Sequence, residues 1–331
     1  MLPRPRALAG LLLGLLLALT ATACSSAPTA SNGAPAVTIA GSDYLGGAQV
    51  YVAQERRLWA GEDVQARLQS FPTGRDALNA VLGGQAQLGV VGDLPAVTAA
   101  LTGRDLRIVA DLSRFSDWRL LTRTDRGITR LDQLPGHRIG VPQGTNAEYA
   151  LARMLAPAGH TAADVRTVNL APNQIPAALA HGDIDAGVTF PSSYDAARTA
   201  LGDRYAELRF TDYTAHTLLV AGPGATDQAT TAVLRALLRA QSDLTADPPG
   251  ARRAVLAQAG GTLDAAYVDA FQPAYEYRPT LSAELLQHLR DEAVWAATAQ
   301  GLPAPADRDT LLRRLHTAPL ATADPAAVTA H

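Results

Sequence analysis

Apolar and polar positions along the chain alternate between two periods. Residues 37–40, 64–70, 88–91 and 106–112 are apolar runs of strand length, several closed by small or turn-forming residues. Between them, residues 47–59, 74–82 and 94–101 carry apolar side chains at helical spacing; Ala48, Val52, Ala53 and Leu58 form the inner side of the first. A second series begins after Ser116 and Asp117. It predicts strands at 118–122, 138–141, 165–170 and 184–188, with helices at 131–136 (short), 146–156 and 174–181. Phe190 and Pro191 open a further helix to about residue 200, and 214–221 is one more apolar strand. From Gln228 the pattern is almost entirely helical, over 228–244, 251–259, 263–270 and 283–299, and the last residues, 318–331, read as a frayed, flexible tail.

Strand–helix alternation of this kind predicts doubly wound α/β sheets. The second series reads as an insertion, after which the chain returns to finish the first. The expected organisation is therefore two α/β lobes joined by a hinge, one from 37–117 plus 214–317 and the other from 118–213. Ligands of open α/β sheets lie outside the carboxyl ends of the strands, so two facing sheets would line one cleft.

The first residues read as an address. Arg4 and Arg6 precede an apolar run at 8–19, and Ala21, Thr22 and Ala23 stand directly before Cys24, so 1–23 is expected to be a secretory signal. A Cys at that position resembles the lipobox of bacterial lipoproteins, in which the thiol is acylated; Ala at 21, where Leu is commonest, departs mildly from it. The chain's single Cys makes an internal disulfide impossible and favours the anchoring role. Residues 24–36 carry no charge and no periodicity and read as a tether. The expected location is the extracytoplasmic face of the cell membrane, held by lipid at Cys24.

Composition narrows the chemistry. All 28 basic residues are Arg, which removes pyridoxal Schiff bases, phosphate-loop lysines and Ser-x-x-Lys nucleophiles. A net charge of −3 offers no basic field for nucleic acid. The seven His show no metal-ligand spacing, and no Gly-x-Ser-x-Gly elbow or dinucleotide glycine pattern occurs. Neither a catalytic residue nor a cofactor or metal is expected.

Three stretches carry a family resemblance. "AQERRLWAGEDV" within 46–64, Phe71-Pro72-Thr73-Gly74 with the following "RDALNAVLGGQAQLGVVGDLPAV", and residues 131–192 almost throughout resemble the nitrate/sulfonate/taurine group of transporter substrate-binding proteins. The resemblance covers roughly 37–217 and the helical C-terminus only generally. It implies a bilobed, periplasmic-binding-protein-like type II fold that closes on a solute and delivers it, as a monomer, to the permease and ATPase of an ABC importer. Binders of thiamine-pyrimidine precursors are related, as are some enzymes of the same architecture. Where many members carry Trp, an acid and Pro, this chain reads Thr189, Phe190, Pro191. The missing carboxylate leaves the ligand open: a small organic anion such as an aliphatic sulfonate leads, with an aromatic precursor as the alternative.

Candidate ligand contacts follow from strand-to-helix turns. Gly144, Thr145 and Asn146 lie where a strand runs into a helix, so free amides at the positive end of a helix dipole face outward; Thr145 acting purely as a cap is the competing reading. Thr73 and Gly74 form the corresponding turn in the first lobe. Asp93 reads either as a ligand acceptor or as an ordinary helix-start residue. Asp43 and Tyr44 follow the first strand at the expected cleft mouth, and Trp118 and Phe190 lie where aromatic rings would flank an apolar ligand body.

Overall fold

The computed structural model describes residues 33–303 and 308–330, with the backbone alone at Arg308. The signal, Cys24 and most of the tether lie outside the described residues.

The first sheet is begun by β1 (Ala36–Ser42), followed by α1 (Ala48–Glu55), β2 (Gln65–Phe71), α2 (Gly74–Leu82), β3 (Leu88–Gly92), α3 (Asp93–Leu101) and β4 (Arg107–Phe115). The second is built from β5 (Trp118–Arg123), β6 (Arg138–Val141), α4 (Asn146–Leu155), β7 (Arg166–Asn169), α5 (Ile175–His181), β8 (Ala186–Val188), α6 (Tyr194–Leu201) and β9 (Tyr205–Phe210). The chain then re-enters the first with β10 (Ala215–Ala221), α7 (Asp227–Ala246), α8 (Pro248–Gln258), α9 (Ala265–Phe271), β11 (Tyr275–Thr280), α10 (Ala283–Ala299), α11 (Arg308–Leu312) and α12 (Ala318–Ala323).

Strand order is β11-β4-β10-β3-β1-β2 in the first lobe and β7-β6-β8-β5-β9 in the second. Strands β1, β2 and β3 are parallel, β10 runs antiparallel between β3 and β4, and β5 runs antiparallel between β8 and β9. The fold is thus α/β with two sheets, and two short crossings join them: Phe115 to Trp118 and Phe210 to Ala215.

Local sequence explains the elements that frame the cleft. In α2 the Thr73 hydroxyl accepts from Asp76 N at 3.2 Å, and Ala77, Leu78, Ala80 and Val81 form its buried stripe. In α4 Thr145 caps by accepting from Ala147 N at 3.3 Å, and Ala147, Ala150, Leu151 and Met154 are buried. These side chains are at most 5% exposed, which packs each helix firmly against its sheet.

Several expectations need correction. The helix expected over 47–59 stops at Glu55, because Arg57 adopts a left-handed conformation (φ 54°) and a 3-10 turn, Leu58–Glu62, follows. The short helix expected at 131–136 is a single 3-10 turn, Leu131–Gln133. Strand β9 was not anticipated, and β11 falls in a stretch expected to be helical. Both are edge strands whose outward positions carry charge, so neither shows an apolar run. The tail at 318–331 does not fray over its described part. It forms α12, buries Leu320, and pairs Val328 with Leu281.

Candidate functional site

The ends of β1, β3, β4 and β10 in the first lobe face the ends of β5, β6 and β8 in the second across a cleft. Its free volume is about 730 Å³, counting the space open to solvent at its mouth. Three helices begin at its wall. Thr73, Gly74 and Arg75 start α2, Gly92 and Pro95 start α3, and Thr145 and Asn146 start α4. These helices run nine, nine and ten residues and aim their positive ends at the cleft; each also carries an acid in its first turn, Asp76, Asp93 or Glu148, and Asp76 N, Leu94 N and Ala147 N are already bonded by Thr73, Asp93 and Thr145. Arg75 is the only arginine among the described lining residues.

Of the residues singled out from sequence, Asp43, Tyr44, Thr73, Gly74, Trp118, Thr145, Asn146 and Phe190 line this cleft. Gly144 and Asp93 do not. The Gly144 amide donates to Glu148 Oε2 at 2.8 Å, and Arg75 packs against its Cα, where φ of +71° suits a residue without a side chain. Asp93 is fully buried behind the wall. It accepts from the Asn146 side-chain amide, from His216 N at 2.8 Å and from His288 Nε2 at 2.6 Å, which leaves it no role as a direct ligand acceptor.

The threonine hydroxyls are also committed. Thr145 Oγ1 donates to Pro142 O at 2.6 Å, and Thr73 Oγ1 donates to Asp76 Oδ2 at 2.7 Å. Both side chains therefore act as caps, and the donors on the lining include the Arg75 guanidinium and the Trp118 indole N–H. Arg75 Nη1 donates to Gln143 O at 2.5 Å, crossing from one lobe to the other at the rim.

Sequence reasoning did not anticipate Arg75, Phe115 or Tyr275 as lining residues. Arg75 lies in the first turn of α2, where no local pattern marks its side chain as turned to a cleft. Tyr275 reaches the cleft because β11 pairs with β4 in the register Tyr275↔Phe115, and the two rings stack with centroids 4.7 Å apart. Trp118 meets Phe115 edge-on at 5.8 Å and lies 6.2 Å from Phe190.

Behind the wall lies a buried ionic network. Burial works to raise the Asp93 carboxyl, but the His288 and His216 contacts hold it below its usual range. Burial disfavours charge on His288, yet Glu292 and Asp93 together lift it to about 11. Glu292 is itself pushed up to about 7 by burial and by the Asp93 charge. Tyr213 OH, at the second crossing, donates to Glu292 Oε1 at 3.1 Å. Candidate metal-ligand atoms of Asp93, His288 and Glu292 lie within 4.8 Å of one another. His288 Nε2 already bonds Asp93 directly and sits 3.5 Å from Glu292 Oε1, so these groups serve one another as partners.

Comparison with known proteins adds a family and a fold. Residues 47–251 match the family model described as NMT1/THI5 like. A Brucella abortus protein named as a binding protein is 28% identical over 151 residues, covering 45% of this chain and 46% of the relative. An Escherichia coli protein named for binding aliphatic sulfonates is 30% identical over 128 residues, covering 38% of this chain and 40% of its own. The chain thus spans about half the length of the curated relatives it matches, or less. Among solved structures, the alkanesulfonate-binding protein SsuA of Xanthomonas axonopodis pv. citri, bound to MOPS, superposes with a TM-score of 0.72 at 22% identity, covering 87% of this chain and 100% of that one. At that identity the likeness establishes the bilobed binding-protein fold.

Proposed function

The chain belongs to the NMT1/THI5-like family, and from that premise we propose that it is an extracytoplasmic solute-binding lipoprotein of an ABC importer. It captures a small organic anion, with an aliphatic sulfonate as the leading class, by closing its two lobes, and it carries out no bond chemistry. The observation that carries this reading is the convergence of three helix N-termini and Arg75 on one cleft. Together they offer an oxyanion several fixed donors and a favourable field without any lysine. The names of the sulfonate-binding relatives support the same class.

Anchoring rests on Cys24 at the end of the signal-like segment. No described helix is long and apolar enough to cross a membrane. A single lipid-modified Cys would keep the binder beside its permease. Conversion of Cys24 to Ala should release the protein from the membrane fraction, and retention there would refute the anchor.

The test of function is a thermal-shift and calorimetric panel on the mature chain with alkanesulfonates, nitrate, pyrimidines and amino acids. A ligand at about 1 mM with roughly micromolar affinity stabilises the folded state by about 4 kcal/mol. Absence of any shift across the panel would rule out the transport reading.

A further inference from the structure

The cleft wall has an unusual apolar composition. Tyr44, Phe115, Trp118, Phe190 and Tyr275 line it, yet no Leu, Ile, Val or Met does so among the described residues. Over the whole chain the balance is the reverse, with 47% hydrophobic residues of which aromatics are a small part at 5%. Aliphatic side chains make up most of the cores on either side, whereas every large apolar side chain on the described lining is a ring.

These rings are held in place before any ligand arrives. Phe115 and Trp118 are 5% and 2% exposed. Trp118 is stacked on Tyr213 at 5.6 Å, and Phe115 on Tyr275 at 4.7 Å. Both lobes contribute to the set, Tyr44, Phe115 and Tyr275 from the first and Trp118 and Phe190 from the second. Fixed rings cost little side-chain entropy on binding, and their edges and faces favour a partner with its own π-system. Trp118 Nε1 is in addition a buried donor with no acceptor in the protein.

Charge decides which ring-bearing ligand suits this wall. Aromatic cages also bind quaternary ammonium groups, and a carboxylate free to face the cation would favour one here. Asp43, the only acid among the described lining residues, already accepts from Tyr51 OH at 3.3 Å and from Ser70 Oγ. Asp93 is sealed behind the wall by Asn146, His216 and His288. The positive charge on the described lining is at Arg75, which gives Nη1 to Gln143 O, and the helix starts add positive dipole ends.

We infer that the ligand is an aromatic oxyanion: an arene or heteroarene seated between Phe115, Trp118, Phe190 and Tyr275, with its sulfonate or carboxylate group at Arg75 and the first turns of α2 and α4. This deepens the proposed function and rests on its reading of the cleft as an anion site.

The test is calorimetry of the mature chain with ethanesulfonate, cyclohexanesulfonate, benzenesulfonate and tetramethylammonium. Benzenesulfonate should bind roughly tenfold or more tightly than its saturated counterpart of similar size. Phe190→Leu, which removes one of the four rings, should shrink that difference, with benzenesulfonate affinity falling more than ethanesulfonate affinity. Phe190 is only half buried, so this variant spares the core; Trp118→Phe, which keeps a ring and loses the Nε1 donor, should retain most of the preference. Equal binding of the two cyclic sulfonates would overturn the aromatic inference and leave the anion site standing. Binding of no sulfonate would overturn both, as would preference for tetramethylammonium.

Discussion

Asn146, in the first turn of α4, donates its side-chain amide to Asp93 Oδ1, in the first turn of α3, so a buried hydrogen bond ties one lobe to the other at the cleft. The tie is close: a Cβ built on the neighbouring Gly92 would stand 2.2 Å from Asn146 Oδ1. Gly92 itself has φ −72° and ψ 159°, which any residue adopts. Gly92→Ala should therefore leave the first lobe's backbone unstrained and obstruct only its approach to the second. Ligand affinity should fall by about tenfold, the loss of roughly one buried charge-assisted hydrogen bond. Small-angle scattering should report a more open molecule, and an unchanged radius with unchanged affinity would show that this contact does not govern closure.

Thr145→Ala separates capping from ligand contact. The hydroxyl accepts from Ala147 N and donates to Pro142 O, so its loss should cost about 1 kcal/mol of stability. Anion affinity should change by less than about threefold, since the hydroxyl proton is not directed at the ligand. Calorimetry showing a much larger loss would restore Thr145 as a direct donor.

Arg75→Ala removes the one arginine on the described lining and the bond across the rim to Gln143. Anion affinity should drop by about 10- to 100-fold, the range for a charge-assisted contact. Its dependence on salt should flatten as well, because a partly exposed charge pair is screened. Titrations at low and physiological salt check both effects, and a variant that keeps the wild-type salt slope would place the anion elsewhere.

Glu292→Gln tests the network behind the wall. In the folded protein the Glu292 carboxyl is raised from 4.5 to about 7, so the native state holds its proton more tightly than the unfolded chain does. Its contribution to stability is therefore fully present below pH 4.5 and is lost as pH rises to about 7. The glutamine cannot ionise, so its stability relative to wild type should climb across that window and level off above it. Urea unfolding at a series of pH values measures the difference. A difference that stays flat from pH 4.5 to 7 would mean that Glu292 is ionised throughout.

How much was legible in the sequence varied with how local the cause was. Thr73 followed by Ala77, Leu78, Ala80 and Val81 announces α2 on its own, and Thr145 does the same for α4. The turns at Thr73, Thr145 and Phe190 could be placed at a cleft because strand ends and helix starts follow from such patterns. Asp93 was ambiguous because the same residue type serves as a helix start, a ligand acceptor or a buried counter-ion. Only its contacts with Asn146, His216 and His288, distant in sequence by 53, 123 and 195 residues, decide which. Tyr275 and Phe115 were invisible as a pair, because they meet through strand register at an edge. The docked tail was missed for a related reason: Val328 is ordered by a single bridge to Leu281, which no local pattern announces.

The stacking of Trp118 on Tyr213 has an optical consequence. One ring stands just after the first crossing between lobes and the other just before the return strand β10, so any rotation of the lobes must alter how the two overlap. The chain has three tryptophans, and neither Trp59, bonded to Gln54, nor Trp295, packed against Tyr149, lines the cleft. If the lobes close as proposed, Trp118 is a built-in fluorophore at the axis of that movement, and its emission spectrum would follow opening and closing in real time, with no label attached.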